Sequence, residues 1–195
     1  HELFETISLG LINGANDVLL NRFLPGGRGL SYLSELQFES QLINGMLEVS
    51  EEVPSYANRY AHLGTEIPYC SIQNPEKLKR TKIGYKCAAA KSFFVIDPSG
   101  QIRTCNHSPH VVGHIFQKPL ISDTTYWNMF AKSDYKPEAC SKCKIVELCD
   151  CGCREVAQML HGNIKEIDMS AICSVKPVFK KQCFLFDKKH CFYYI

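Results

Sequence analysis

The stretch Cys140-Ser-Lys-Cys143-Lys-Ile-Val-Glu-Leu-Cys149-Asp-Cys151-Gly-Cys153 governs how this chain is read, because it crowds five cysteines into fourteen residues. Thiolates held that close repel one another unless a cation shares them, and soft sulfur ligands select zinc, copper(I) or iron–sulfur clusters. Working outward, Cys87 is followed by twelve residues, Gly100, four more residues and Cys105, while Cys173 comes after nineteen residues beyond Cys153. With Cys70, Cys183 and Cys191 the chain carries eleven cysteines. A disulfide framework prefers an even count and a secretory leader, so these cysteines are expected to bind metal instead.

The rest of the composition is that of a globular chain. Of 195 residues, 45% are hydrophobic and 22% charged, which excludes a disordered segment and supplies an adequate core without cross-links. The formal charge is +2 with no run of five or more like charges, so neither nucleic acid nor a membrane surface is expected as a partner. No apolar stretch approaches the ~20 residues needed to cross a bilayer. The expected location is cytoplasmic. His1 runs directly into the periodic apolar residues Leu3, Phe4, Ile7, Leu9, Leu11 and Ile12, so the chain is expected to begin inside a domain.

Upstream of the cysteines the pattern alternates helix and strand. Residues 2–11 have helical spacing and stop at Gly14, after which Asp17-Val-Leu-Leu-Asn-Arg-Phe23 reads as a buried strand ending at Pro25-Gly-Gly-Arg-Gly29. Ser34 and Gln37 form a capping box, and Phe38, Leu42, Met46, Val49 and Val53 recur at helical steps up to Pro54. A shorter helix is expected over residues 55–63, ending at Gly64, followed by an extended segment over 65–72. Residues 1–74 thus read as β/α units of a parallel sheet, with a boundary near Asn74-Pro75. Beyond it, Ser92-Phe-Phe-Val-Ile96 and Gln101-Ile-Arg-Thr104 flank Asp97-Pro-Ser-Gly100, which predicts a β-hairpin. Short helices are expected over 124–130 and 154–160, the second closed by Gly162.

The seven cysteines Cys87, Cys105, Cys140, Cys143, Cys149, Cys153 and Cys173 share their spacing with a known family, as do Gly100, the turn Ile96-Asp-Pro-Ser-Gly100 and Gly113-His-Ile115. Over residues 84–173 the chain resembles the SPASM domain, the auxiliary iron–sulfur module of many radical S-adenosylmethionine (radical SAM) enzymes, peptide maturases and sulfatase maturases among them. The resemblance implies two [4Fe–4S] clusters: Cys87, Cys105 and Cys153 would hold the first, and Cys140, Cys143, Cys149 and Cys173 the second. One short loop ligating both centres would fix their separation, as in ferredoxins with two clusters. Cys70, Cys151 or an open position would complete the first set.

The Asn21-Arg-Phe-Leu-Pro-Gly-Gly-Arg28 segment and Ile67-Pro-Tyr-Cys70 also look like the last β/α units of the partial TIM-like barrel that precedes SPASM. The fold class so implied is α+β: a barrel remnant over 1–74, an iron–sulfur domain over 75–176 and an aromatic, basic tail over 177–195. The implied function is a cluster-bearing electron-transfer and peptide-docking module of an oxidoreductase that modifies a peptide or protein. Its implied partners are the peptide, a radical SAM region upstream and a ferredoxin or flavodoxin reductant. The radical triplet, with intervals of three and then two residues, is missing here: Val156 stands where a third cysteine would follow Cys149 and Cys153. This chain alone is therefore expected not to cleave S-adenosylmethionine, which would bind only in the full-length enzyme.

Blander assignments stand beside these. Zinc is the rival metal, since two tetrahedral thiolate sites need eight ligands and Cys151 would make eight, giving an interaction domain stabilised by metal. A stand-alone ferredoxin-like carrier is a further alternative. Cys183 and Cys191 read as ordinary thiols of a packed tail strand or hairpin. His107, His110 and His114 read as local hydrogen-bond partners, and Tyr126, Trp127 and Phe130 as core. The Pro25–Gly29 glycines suit either a turn or a cofactor approach at a strand end.

Overall fold

Acidic Glu2 and Glu5 occupy the first turn of helix α1 (Glu2–Ile12), where the helix dipole favours negative charge. Strand β1 (Asp17–Leu20) follows. The computed structural model describes residues 2–36, 40–84, 86–171, 180–181 and 193–194. After β1 come a 3₁₀ turn (Gly27–Tyr32), the short helix α2 (Leu33–Leu36), helix α3 (Ser40–Tyr56), strand β2 (Tyr60–Leu63) and strand β3 (Thr81–Ile83). The three strands form a parallel sheet in the order β1-β2-β3, with Asp17 beside Tyr60 and Ala61 beside Thr81.

Helix α3 lays Ile43, Met46 and Leu47 against the sheet at spacings of three and four. They form a core with Leu63, Ile67 and Ile72, against which Leu3, Leu20, Leu78 and Ile83 pack. Each such side chain contributes roughly 1.5–3 kcal/mol when fully buried. Two expectations need correction here. Residues 55–63 are not a second helix, because α3 continues through Pro54 to Tyr56 and Tyr60–Leu63 is strand β2. Pro54 lies in the last turn, where few bonds remain to break, and Ala61 and Leu63 alternate inward as strand residues do. Residues 65–72 are not uniformly extended either, because the Ser71 N–H and hydroxyl both donate to the Pro68 carbonyl (3.0 and 2.6 Å) and close a 3₁₀ turn over Tyr69–Ser71. The third strand comes later in the chain, held by Glu51, whose carboxylate accepts the backbone N–H groups of Lys79, Arg80 and Thr81 at 2.8–2.9 Å. The parallel sheet therefore extends to Ile83, past residue 74.

Strands β4 (Val95–Ile96), β5 (Gln101–Arg103) and β6 (Gly113–His114) form a small antiparallel sheet. Its first turn is the expected hairpin: the Asp97 carboxylate accepts from the Ser99 and Gln101 N–H groups, and Gly100 takes φ +89°. Helices α4 (Thr124–Ala131), α5 (Val146–Cys149) and α6 (Arg154–His161) follow, and Asp123 caps α4 by accepting from the Tyr126 N–H. A second core gathers Ala89, Cys105, Phe130, Tyr135 and Ile164, with Tyr126 packed against it. Trp127 meets Phe94 edge-on at 5.8 Å. In the tail, strands β7 (Lys180–Lys181) and β8 (Tyr193–Tyr194) pair antiparallel. Cys173, Cys183 and Cys191, with the roles expected of them, lie outside the described residues. Among the described residues no helix is long and apolar enough to cross a membrane.

Candidate functional site

Parallel sheets place ligand sites beyond the carboxyl ends of their strands. Here the chain leaving β1 contributes Leu24, the chain leaving β2 contributes Gly64, Thr65 and Glu66, and the chain leaving β3 contributes Cys87, Ala88 and Ala89 to one cavity of about 180 Å³. The cysteine-rich part closes it with Cys105, His107, Phe130, Cys153 and Glu155. Cys87, Cys105 and Cys153, which the resemblance implies as one set, thus line a single cavity. Burial pushes the Cys87 thiol up to about 12 and the Cys105 thiol up to about 11, with the charges of Glu66 and Glu155 adding to burial respectively. Burial also raises Cys153, against the lowering effect of the Arg22 charge. Three thiols, Cys105 and Cys153 buried and Cys87 half-buried, that resist ionisation alone are donors that a bound cation would deprotonate.

A second group forms around Cys149. The Tyr69 N–H donates to Cys149 Sγ at 3.1 Å, and the Cys149 thiol is raised by burial and by the nearby Cys70 and Cys140. The Cys151 thiol is raised first by its hydrogen bond with Cys140 and then by burial. Cys70 and Cys151 are therefore placed beside Cys140 and Cys149, not in the cavity with Cys87, Cys105 and Cys153. Cys143 is half-buried in the turn after Cys140, its N–H on the Cys140 carbonyl at 3.0 Å. Among the described residues no three His, Cys, Asp or Glu side chains gather tightly enough for one metal ion.

One loop joins the two groups. Asp150, Cys151 and Gly152 take φ of +52°, +64° and +79° in succession, a left-handed run that costs a non-glycine residue roughly 1–2 kcal/mol. Such strain persists only where the surroundings enforce it. Arg154, fully buried, enforces it by donating to the carbonyls of Cys151, Gly152, Ile164 and Glu166. Asp150 accepts from the Cys87 N–H and the Tyr135 hydroxyl, each at 2.8 Å, tying the loop to the first cysteine. Asp168 accepts from the Cys153 N–H at 2.9 Å and forms a buried two-pronged ion pair with Arg22, which extends from the end of β1. Burial, the largest single influence, works against the Asp168 charge, but the Arg22 charge together with hydrogen bonds from Arg22 and Ser170 holds the carboxyl below the usual range.

Of the loop histidines, His110 pairs with Asp123 at 2.7 Å and stacks on Tyr126, and His114 Nε2 lies 3.0 Å from the Ser99 carbonyl. His107 lines the cavity. The Pro25–Gly29 glycines lead into the 3₁₀ turn, while neighbouring Leu24 lines the cavity. Sequence reasoning passed over Arg22, Glu66, Asp150, Arg154, Glu155 and Asp168. None carried a usable signal: Glu66 lay in a stretch read as extended after one read as helix, Arg154 turns back on its own loop, and the others gain their roles from partners far along the chain. No family model, no curated protein and no solved structure matches this chain.

Proposed function

We propose that this chain is an auxiliary iron–sulfur module of the radical SAM/SPASM kind, carrying two [4Fe–4S] clusters for electron transfer beside a docked peptide. The reading rests on one observation above all: Cys87, Cys105 and Cys153, from three separate stretches, line a common cavity of about 180 Å³ at the carboxyl end of a parallel sheet. The donor set fits a cluster better than a single ion. A zinc ion with Zn–S of ~2.3 Å would draw its sulfurs to within ~3.8 Å of one another, whereas thiols spread around a cavity suit a larger body. The second centre would use Cys140, Cys143, Cys149 and Cys173, with Cys70 and Cys151 alongside.

When bound, such clusters supply one-electron transfer at a potential set by their ligands, hydrogen bonds and burial. The chain's own residues would govern that potential and the geometry. The Tyr69 N–H already points at Cys149 Sγ, the kind of donor that stabilises a thiolate. Arg22 and Arg154 bring two buried positive charges near Cys153 and Cys151, offsetting the negative charge of bound thiolates. Asp168 and Asp150 fix the backbone N–H groups of Cys153 and Cys87, so both donors are positioned before any metal arrives. The proposed partners are a peptide or protein substrate, an upstream radical SAM region that binds S-adenosylmethionine, and a cytoplasmic ferredoxin or flavodoxin.

Single Cys→Ala substitutions test the assignment by iron analysis after anaerobic reconstitution. Substitution at Cys87, Cys105 or Cys153 should remove about half the iron, substitution at Cys140, Cys143 or Cys149 the other half, and substitution at Cys183 or Cys191 almost none. Equal loss across all eight variants would refute the two-centre assignment.

A further inference from the structure

Three thiols around the first cavity leave one iron of a four-iron cluster without a protein sulfur, and the two cysteines that might have supplied it, Cys70 and Cys151, sit in the other group. We propose that Glu66 is the fourth protein ligand of the first cluster, through a carboxylate oxygen. This inference rests on the cluster reading above and extends it to the one coordination position that reading leaves open.

The cavity offers three titratable non-sulfur donors: Glu66, Glu155 and His107. Glu155 is engaged elsewhere, accepting from the Thr104 hydroxyl at 3.2 Å and from the Tyr126 hydroxyl at 3.0 and 3.1 Å. His107 Nε2 lies 3.4 Å from the Asn106 amide nitrogen, and it is the His107 backbone N–H, not its ring, that donates to the Cys105 sulfur. Glu66 is different on both counts. It lines the cavity together with all three sulfurs, and after burial its charge is the first influence on the Cys87 thiol. Among the described residues its carboxylate takes a hydrogen bond from its own backbone N–H.

The backbone holds Glu66 in place. Thr65, immediately before it, is buried and accepts the Arg22 N–H on its hydroxyl at 3.2 Å. Ile67, immediately after, is buried in the first hydrophobic core. Glu66 thus sits between two buried neighbours in the connection that leaves β2, three residues past its end. A carboxylate is a harder and weaker donor to iron than a thiolate, so this ligand would raise the reduction potential and could yield to an incoming thiolate. Proton balance is simple: the carboxylate binds iron as the anion and leaves as the anion.

The test uses the full chain, reconstituted anaerobically with iron and sulfide, reduced, and followed by low-temperature electron paramagnetic resonance with and without added cyanide. In the native chain cyanide should shift the spectrum only at an excess well above that needed in Glu66→Ala, because the carboxylate must first be displaced. In Glu66→Ala the g-values of one cluster should shift, and cyanide should shift them again; His107→Ala should match the native chain. Glu66→Cys should keep the full iron content and move the potential of one cluster to a more negative value, which also decides the matter should Glu66→Ala lose iron. A native spectrum that responds to cyanide as the alanine variant does would overturn the proposal. So would Glu66→Ala and Glu66→Cys spectra superimposable on the native one. A native chain that takes up no iron removes the function reading and the Glu66 ligand with it, whereas normal loading with unmoved Glu66 variants removes the ligand assignment alone.

Discussion

Arg22 and Asp168 face each other with side chains 1% and 0% exposed, and between them they join the parallel sheet to the loop that bears Cys153. Breaking a buried pair by removing one charge leaves the other uncompensated, so Asp168→Asn should cost about 3–5 kcal/mol in urea denaturation. Because the Asp168 carboxyl is held below its unfolded value of ~3.9, its contribution is present above that pH and fades as acid approaches the folded value. The gap in stability between the native chain and Asp168→Asn should therefore narrow below about pH 4 and stay constant between pH 5 and 7. A gap that widens on acidification would contradict the pairing. Nothing in the sequence announced this contact, since its partners lie 146 residues apart and each is an ordinary charged residue by itself. Glu66 is a similar case. A carboxylate after a short strand acquires meaning only when Cys87, Cys105 and Cys153 converge on it.

Elements whose instructions are local were the legible ones. The Asp97–Gly100 turn carries its own acceptor and its own left-handed residue, so the hairpin follows from four consecutive residues. The short helices α4 and α6 were equally readable, as was the helical character of α3, though its buried face was not: Leu42 is exposed while Ile43 and Leu47, off the expected stripe, are buried. The end of α3 was not, because Pro54 stands in its last turn and β2 is only four residues long. The third strand escaped notice because Glu51, on α3, supplies its anchoring from outside. The left-handed loop Asp150–Gly152 is the element on which both cysteine groups depend. A Cβ at Gly152 would stand 2.7 Å from Asp168 Oδ2 and 2.8 Å from Pro68 Cγ, at φ +79°. Gly152→Ala should cost more than the ~1–2 kcal/mol of the left-handed backbone alone, and iron uptake at both groups should fall together. A loss confined to one group would show that the loop does not couple them.

At the scale of the whole molecule, a helix-flanked parallel sheet and a cysteine-rich region meet at one cavity, with a buried ion pair across the join. The resemblance implied Cys87, Cys105 and Cys153 as one set, and the three line that cavity together. The placement of Cys70 and Cys151 it did not foretell, because that depends on how the turn over Tyr69–Ser71 meets the Cys149 loop. The central claim is that these cysteines hold iron and sulfide, and direct elemental analysis of anaerobically purified and reconstituted protein measures it. The account predicts about eight iron and eight sulfide per chain with broad absorption near ~400 nm, from two four-iron centres. A colourless, folded protein containing zinc and no sulfide would contradict it.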